Sequence, residues 1–387
     1  MSTPDRPLRV LLTTALVTGG IGRHVQMLAA GLAARGHQVV VACPQEVADR
    51  FALHEHARVV PLPVGSAPHP VRDARAVRRL RLAGIGADVV HAHGLRAGAL
   101  CSLALGTRAP LVVTTHNAPP GKRSGRLVYA GMERLVALRA DLVLAVSPDL
   151  ARRARAAGAR GVDLAVVPAP ESAATDRRAA RLHLRSTVGL DAAATVVLVV
   201  GRLAPQKGLS RAVAALERLN GAATGRSSVH LVVAGEGPER GRLAGAATGR
   251  DDLHLLGHRD DVPLLLRGAD VVLSAARWEG QPVWLQEALH QGAAVVATDV
   301  GGTGLVVGDA AVLVPDGDDE QVGAALADAV RGLVGDREAL TSLRHRAAAR
   351  AAGLPTETDA LAAAVAAYRR VAGAAPGPPA GAGRAVT

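Results

Sequence analysis

Aromatic side chains are scarce in this sequence. Phe51, Tyr129, Tyr368, Trp278 and Trp284 are the whole set in 387 residues. Single-stranded nucleic acids are held largely by stacking bases on aromatic platforms, so the composition argues against that class of ligand. Cysteine is scarcer still. Cys43 and Cys101 are isolated thiols, too few for a disulfide framework or a zinc site. Lysine is nearly absent: Lys122 and Lys207 stand alone among 45 cationic residues, and the rest are arginine. Long apolar runs are missing as well. No uncharged stretch reaches the ~18–20 residues a spanning helix requires, and the segment Ala97–Thr107 is bracketed by Arg96 and Arg108. The first residues carry no apolar core with a small-residue cleavage site. No G-x-S-x-G elbow occurs and neither cysteine has the context of a catalytic pair, so hydrolase chemistry has no support. The expectation is a cytoplasmic chain, with peripheral contact on the inner membrane face left open.

What is present suits a globular protein. Apolar residues make up 49% and charged residues 20%, and the length predicts two domains. The net charge of +11 is uneven: residues 1–180 hold 24 Lys and Arg against 12 Asp and Glu, while the remainder is close to neutral. Arginines cluster at 72–81, at 152–160 and, with Lys122, at 122–126. A GC-rich genome explains so much arginine without any function. An anionic acceptor or membrane surface is the functional alternative.

Short β-branched runs alternate with helical stretches along the chain. Strands are predicted at Leu8–Thr14, Gln38–Ala42, Val59–Leu62, Asp88–Ala92, Leu111–Thr115, Leu142–Ser147 and Leu164–Val167. After a break at Pro168–Thr175 the pattern restarts at Thr195–Val200, Val229–Ala234, Leu253–Leu256, Asp270–Ser274, Ala294–Thr298 and Ala311–Val314. Near-continuous apolar strands separated by helices predict parallel sheets covered on both faces. The fold class is therefore α/β, with two doubly wound Rossmann-like domains facing across a cleft. The expected boundaries are 1–175 and 176–355, with a helix at 356–371 that can cross back to the first domain and a disordered tail at 372–387.

Ligands of such folds bind at strand-to-helix loops. The first loop, Thr18-Gly19-Gly20-Ile21-Gly22, lets the backbone approach an anion at a helix N-terminus, or is simply a tight turn. The segment Val200-Gly201-Arg202-Leu203-Ala204-Pro205-Gln206-Lys207-Gly208 carries a guanidinium fork and a mobile ammonium five residues apart, which suits a diphosphate. It lacks Walker A spacing. Glu279 follows a strand, and Glu287 stands eight residues later in the helix that Pro282 opens. A carboxylate there accepts hydrogen bonds from vicinal hydroxyls, as in a sugar or ribose; the alternative is a capping Glu and an exposed helical Glu. Trp278 and Trp284 beside them form a pocket wall or plain core. His91, His93 and His116 end strands where the cleft is expected, yet no carboxylate or cysteine completes a metal site. His116 is the one chosen as functional. Asp316-Gly317-Asp318 reads as a helix cap rather than a metal motif.

These motifs occur in a recognisable order: G-G-I-G-R-H-V from Gly19, T-T-H-N from Thr114, V-G-R-L-A-P-Q-K-G from Val200, V-A-G-E-G-P-E-R from Val233, L-G-H-R-D-D-V from Leu256 and E-G-Q-P-V-W-L-Q-E-A from Glu279. Together they resemble the family 4 glycosyltransferases of the GT-B fold over about residues 8–350. The resemblance implies retaining transfer of a sugar from a nucleotide diphosphate donor to an acceptor hydroxyl, a lipid-linked or anionic acceptor being one option, with no cofactor and no metal. By matching position it places Arg202 and Lys207 on the donor diphosphate, Glu279 and His116 by the transferred sugar, and Glu287 on the ribose. Gly257, His258 and Arg259 fall near the base. Gly19, Gly20 and Gly22 fall by the phosphate, and Gly280, Gln281, Pro282 and Val283 complete the donor-binding set. Four departures from the family pattern stand out: Val167-Pro168-Ala169-Pro170 in the linker, Gln281, Trp284, and Thr303-Gly304-Leu305 after Gly301-Gly302. The alternatives are a sugar-nucleotide epimerase of the same fold and a non-catalytic sugar-nucleotide binding protein. Nucleic acid is not expected as a partner.

Overall fold

A computed structural model of the chain describes residues 6–17, 19–65, 67–106, 108–119, 123–170, 175–221 and 229–373. It divides into two units. Unit 1 comprises the chain to Val166 together with the residues from Thr358, and unit 2 runs from Val167 to Glu357.

Unit 1 is built on seven parallel strands: β1 (Arg9–Thr14), β2 (Gln38–Cys43), β3 (Arg58–Pro61), β4 (Val89–His93), β5 (Leu111–Thr115), β6 (Leu142–Ala145) and β7 (Val162–Leu164). Their order is β3-β2-β1-β4-β5-β6-β7. Side chains alternate across the sheet, so neighbouring residues of β1 enter different cores. Val10 and Leu12 pack with Leu28 and Leu32 of the helix Gly20–Ala34. Leu11 joins Leu80, Leu100 and Val113 on the other face. The strand expected at Leu164–Val167 lies instead at Val162–Leu164, where it pairs with Val143–Ala145. It is an edge strand, which is why exposed Asp163 and Leu164 are tolerated in it.

Unit 2 has six parallel strands: β8 (Thr195–Val200), β9 (Val229–Ala234), β10 (Leu253–Gly257), β11 (Val271–Ser274), β12 (Val295–Asp299) and β13 (Ala311–Pro315). Their order is β10-β9-β8-β11-β12-β13. Val197 and Val199 face Leu209, Leu216, Leu326 and Leu333. Val196, Leu198 and Val200 face Leu184, Leu266, Leu285 and Leu289. Buried Arg211 ties the two helices on the first face together, holding Asp319 at 2.8 Å and Asp316 at 2.8 Å. Asp318 accepts the Glu320 and Gln321 N–H groups at the start of the helix Asp319–Gly335, so Asp316–Asp318 is a capping segment.

The unit boundary falls at 166/167, nine residues before the expected 175. The reason is side-chain capture of the connecting backbone. Gln286 accepts the Ala169 N–H at 3.0 Å and donates to the Val167 carbonyl at 2.8 Å, while Gln281 accepts the Val167 N–H at 3.0 Å. The connector is thus stitched to the helix Val283–His290. The helix Glu357–Gly373 belongs to the core of unit 1 through Leu361, Ala364, Tyr368 and Val371. It passes so close to the helix Gly20–Ala34 that a Cβ at Gly31 would stand 2.4 Å from Leu361. This helix takes in the first two residues of the expected tail, and the rest of that tail lies outside the described residues. No described helix is long and apolar enough to cross a membrane.

Tyr368 is fully buried, and its hydroxyl lies 2.7 Å from His91 Nδ1. Tyr368→Phe leaves that nitrogen without a partner. The expected cost is about 1–3 kcal/mol in the unfolding transition of unit 1, measured by urea denaturation. An unchanged transition would show that the bond contributes nothing.

Candidate functional site

In each sheet the chain reverses its direction of travel between two adjacent, non-consecutive strands, β1 and β4 in unit 1 and β8 and β11 in unit 2. Loops leaving the carboxyl ends of such strands splay apart and leave room for a ligand.

In unit 2 the two loops are Gly201–Gly208 after β8 and the segment from Ala275 to Pro282 after β11. They meet through backbone as well as side chains. The Arg277 N–H donates to the Gln206 carbonyl at 2.8 Å. Gly208 sits at φ 61°, and a Cβ there would lie 2.0 Å from the Ala275 carbonyl oxygen. Gly301 repeats the device at φ 58°, 1.9 Å from the Glu279 oxygen, and the Gly302 N–H donates to that same oxygen at 3.0 Å. Only glycine fits such approaches. They bring Lys207 Nζ to 2.5 Å from Glu279 Oε1, with side-chain exposures of 17% and 7%. Trp284 completes the cluster: its indole N–H points at the same Oε1 at 3.5 Å, and Lys207 Nζ lies 5.9 Å from its ring centre.

The other expected donor residues line the same carboxyl edge of the sheet. Arg202 is exposed at the start of the first loop, and Gly280, Gln281 and Pro282 lead into Val283 at the helix start. Glu287 is half-buried on the next turn of that helix. Gln281 turns its carbonyl to Val167, so that group serves the connector. Gly257, His258 and Arg259 leave β10, two strands from β8. Arg259 grips Asp261 at 2.7 and 2.6 Å, and Asp261 also meets His183 at 2.6 Å. The Arg259 guanidinium holds the Asp261 carboxyl down at about 2 despite its partial burial. His258 is exposed and lies 3.4 Å from Asp260.

In unit 1 the glycines of the first loop have different reasons to be there. A Cβ at Gly19 or Gly20 would meet nothing within 4 Å, whereas one at Gly22 would collide with Phe51 at 2.1 Å. Gly22 is a packing glycine for the single phenylalanine. Thr18 lies outside the described residues, as do Lys122 and the Arg123 side chain.

His116 does not stand alone. Its Nε2 is 3.4 Å from His93 Nδ1, and His24, from the first turn of the helix Gly20–Ala34, places its ring 5.5 Å from His93 and 6.5 Å from His116. His91 follows at 4.1 Å from His93 and bonds Thr114 Oγ1 at 2.7 Å. Sequence reasoning missed His24 entirely and treated the others as separate residues. The available signal was register: His93 pairs with Thr14 of β1 and Thr114 of β5, which stacks these loops side by side. Among the described residues no group of three or more His, Cys, Asp or Glu is arranged to hold a metal ion.

Two family models match the chain. A glycosyl transferase 4-like domain covers residues 19–170, and glycosyl transferases group 1 covers 194–336. A phosphatidyl-myo-inositol mannosyltransferase of Mycobacterium leprae is 31% identical over 333 residues, spanning 82% of this chain and 84% of that protein. The chain belongs to the family 4 glycosyltransferases. A glycogen synthase of Mycobacterium tuberculosis shares 29% identity over 78% of this glycosyltransferase and 80% of its own length. In fold, the enzyme is of the GT-B type. The HepE protein of Anabaena, crystallised with UDP, superposes with a TM-score of 0.74 over 94% of this chain and all of that one, at 19% identity.

Burial dominates the titration of the histidine group, with the neighbouring rings adding to it. The His24 imidazole is pushed down to about 4 and His116 to about 3 from the ordinary 6.5, and His91 and His93 are also lowered well below it. All four are neutral in the folded glycosyltransferase near neutral pH. As pH falls through 6.5 the unfolded chain takes up protons that the folded chain refuses until far lower pH. Stability of unit 1 should therefore hold above about pH 7 and decline steadily toward about pH 4. Urea midpoints measured across that range check this, and His24→Gln should flatten the slope. A midpoint independent of pH would contradict the burial of these rings.

Proposed function

We propose that the enzyme is a retaining hexosyltransferase that takes a sugar from a nucleotide diphosphate donor and passes it to an acceptor hydroxyl without a metal. The observation that carries this reading is the Lys207–Glu279 pair, set where the loops of β8 and β11 diverge. Arg202 and Lys207 supply two positive charges from one loop to the leaving diphosphate. Cations placed where negative charge develops lower the barrier most, because that charge exists fully only after the bond has begun to break. Glu279 addresses hydroxyls of the donor sugar, and Glu287 those of the ribose. The loop from Gly257 to Arg259 lies toward the base. On unit 1, the family resemblance assigns the backbone at Gly19 and Gly20 to the phosphate and the neutral imidazole of His116 to the transferred sugar. The leaving phosphate oxygen accepts the acceptor proton, so no protein general base is assigned. The binding of UDP by the Anabaena fold relative supports a nucleotide-sugar donor. Neither alternative, epimerase or non-catalytic binder, draws support from a particular contact.

For the acceptor, the charge on unit 1 supports an anionic or membrane-presented molecule. Arg72, Arg75, Arg78, Arg79 and Arg81 are all exposed on the helix Pro70–Ala83, with Asp73 as its one acid. The mycobacterial relatives named for phosphatidyl-myo-inositol point the same way, whereas the relative named glycogen synthase points to a neutral polymer. Near an anionic leaflet each cation contributes about 1 kcal/mol of attraction.

Two measurements test these readings. Incubation with UDP-, GDP- and ADP-sugars should release nucleoside diphosphate at a rate that EDTA leaves unchanged, and NMR of the product should show the donor's anomeric configuration kept. Lys207→Ala and Glu279→Gln should each lower kcat/KM about a hundredfold or more. Full turnover in both variants would remove the site assignment. Vesicle sedimentation addresses the surface. Binding should favour anionic over neutral lipid and weaken with salt, and replacing Arg75, Arg78 and Arg79 with Gln should remove the preference. Equal binding to both lipids would leave the arginines to genome composition.

A further inference from the structure

We infer that Trp284 is a positioning residue that lets the Lys207–Glu279 pair open when a donor arrives. The inference rests on the donor-site reading above. Glu279 is 5% exposed, so its carboxylate cannot rely on water when a partner leaves. Lys207 Nζ holds Glu279 Oε1 at 2.5 Å. A diphosphate competes for the same ammonium, and a buried carboxylate stripped of its partner is strongly destabilising. The indole N–H of Trp284 is directed at that same Oε1, 3.5 Å away, and it cannot follow the lysine. It is the donor that stays. The indole face also lies 5.9 Å from Lys207 Nζ, inside the range at which a ring attracts a cation, so one side chain steadies both halves of the pair. The helix Val283–His290 sets the geometry, placing Trp284 five residues after Glu279 on the turn directly below the loop.

The test uses the full chain and its two tryptophans. In a Trp278→Phe background, Trp284 is the sole indole and its emission reports the ammonium beside it. Titration with UDP, GDP and ADP should shift that emission with the nucleotide that binds. In the parent chain, Trp284→Phe keeps the ring and loses the N–H. It should lower kcat for transfer or slow donor hydrolysis about tenfold with an unchanged fold by near-ultraviolet circular dichroism. Trp284→Leu, lacking the face as well, should also raise the donor KM. If Trp284→Phe and Trp284→Leu both turn over within twofold of the parent, while nucleoside diphosphate binds normally, the positioning role is overturned and the donor site stands. If none of the three nucleotides binds the parent chain, the donor-site reading itself fails and the inference with it.

Discussion

A half-buried ammonium paired with a buried carboxylate constrains everything around it. Lys207 and Glu279 come from loops 72 residues apart in sequence and lie 2.5 Å apart in the fold. Glu279 is 5% exposed and its charge is costly there without a partner, so the loop that carries Lys207 must be held beside it. Side-chain packing rarely delivers such placement on loops. Here backbone does it. Ala275 and Glu279 each press a carbonyl oxygen against a glycine that has no Cβ to obstruct it. The sheet beneath supplies the other half of the constraint, because β8 and β11 are hydrogen-bonded neighbours. The pair is therefore as much a consequence of strand order as of the residues themselves.

Much of this was legible in the sequence. Twelve of the thirteen strands follow from short β-branched runs between helical stretches and lie within a residue or two of where the runs place them. A strand buried on both faces has no room for polar residues, which makes its apolar run conspicuous. Edge strand β7 is the exception for the same reason: with Asp163 and Leu164 exposed, it carries no continuous run to read. Lys207 and Glu279 stood out through rarity and loop position. What could not be read was anything that depends on which strands become neighbours. His24, His91, His93 and His116 are scattered over more than ninety residues, and only the register of β1, β4 and β5 gathers them. Gly22 illustrates the opposite error. It sits in a phosphate-like glycine motif, yet its missing side chain makes room for Phe51.

Departures from the family pattern also look different once folded. The altered linker and Gln281 register as two separate oddities in the sequence. In the fold they are one feature, since the Gln281 carbonyl accepts the Val167 N–H and Gln286 completes the clasp at Ala169. A connector without the family's usual turn is held by a glutamine where a bulky apolar residue is usual. The fourth departure begins at Thr303, which is fully buried at the start of the short helix Thr303–Val307. It follows the glycines that fix Glu279, so the local backbone is preserved while its side chains change.

The helix Glu357–Gly373 is the final described element of the chain, and it completes the core of the unit that the chain begins with. Unit 2 is a single unbroken stretch, and all of it precedes this helix. During synthesis unit 2 can close on itself as soon as it emerges from the ribosome. Unit 1, made earlier, must wait. Until Leu361 and Tyr368 arrive, Gly31 lacks the side chain that packs on it and His91 Nδ1 lacks its hydroxyl partner. Unit 1 is begun first and completed last, and a ribosome that stalls before Leu361 leaves a complete unit 2 and a unit 1 with an unfinished core.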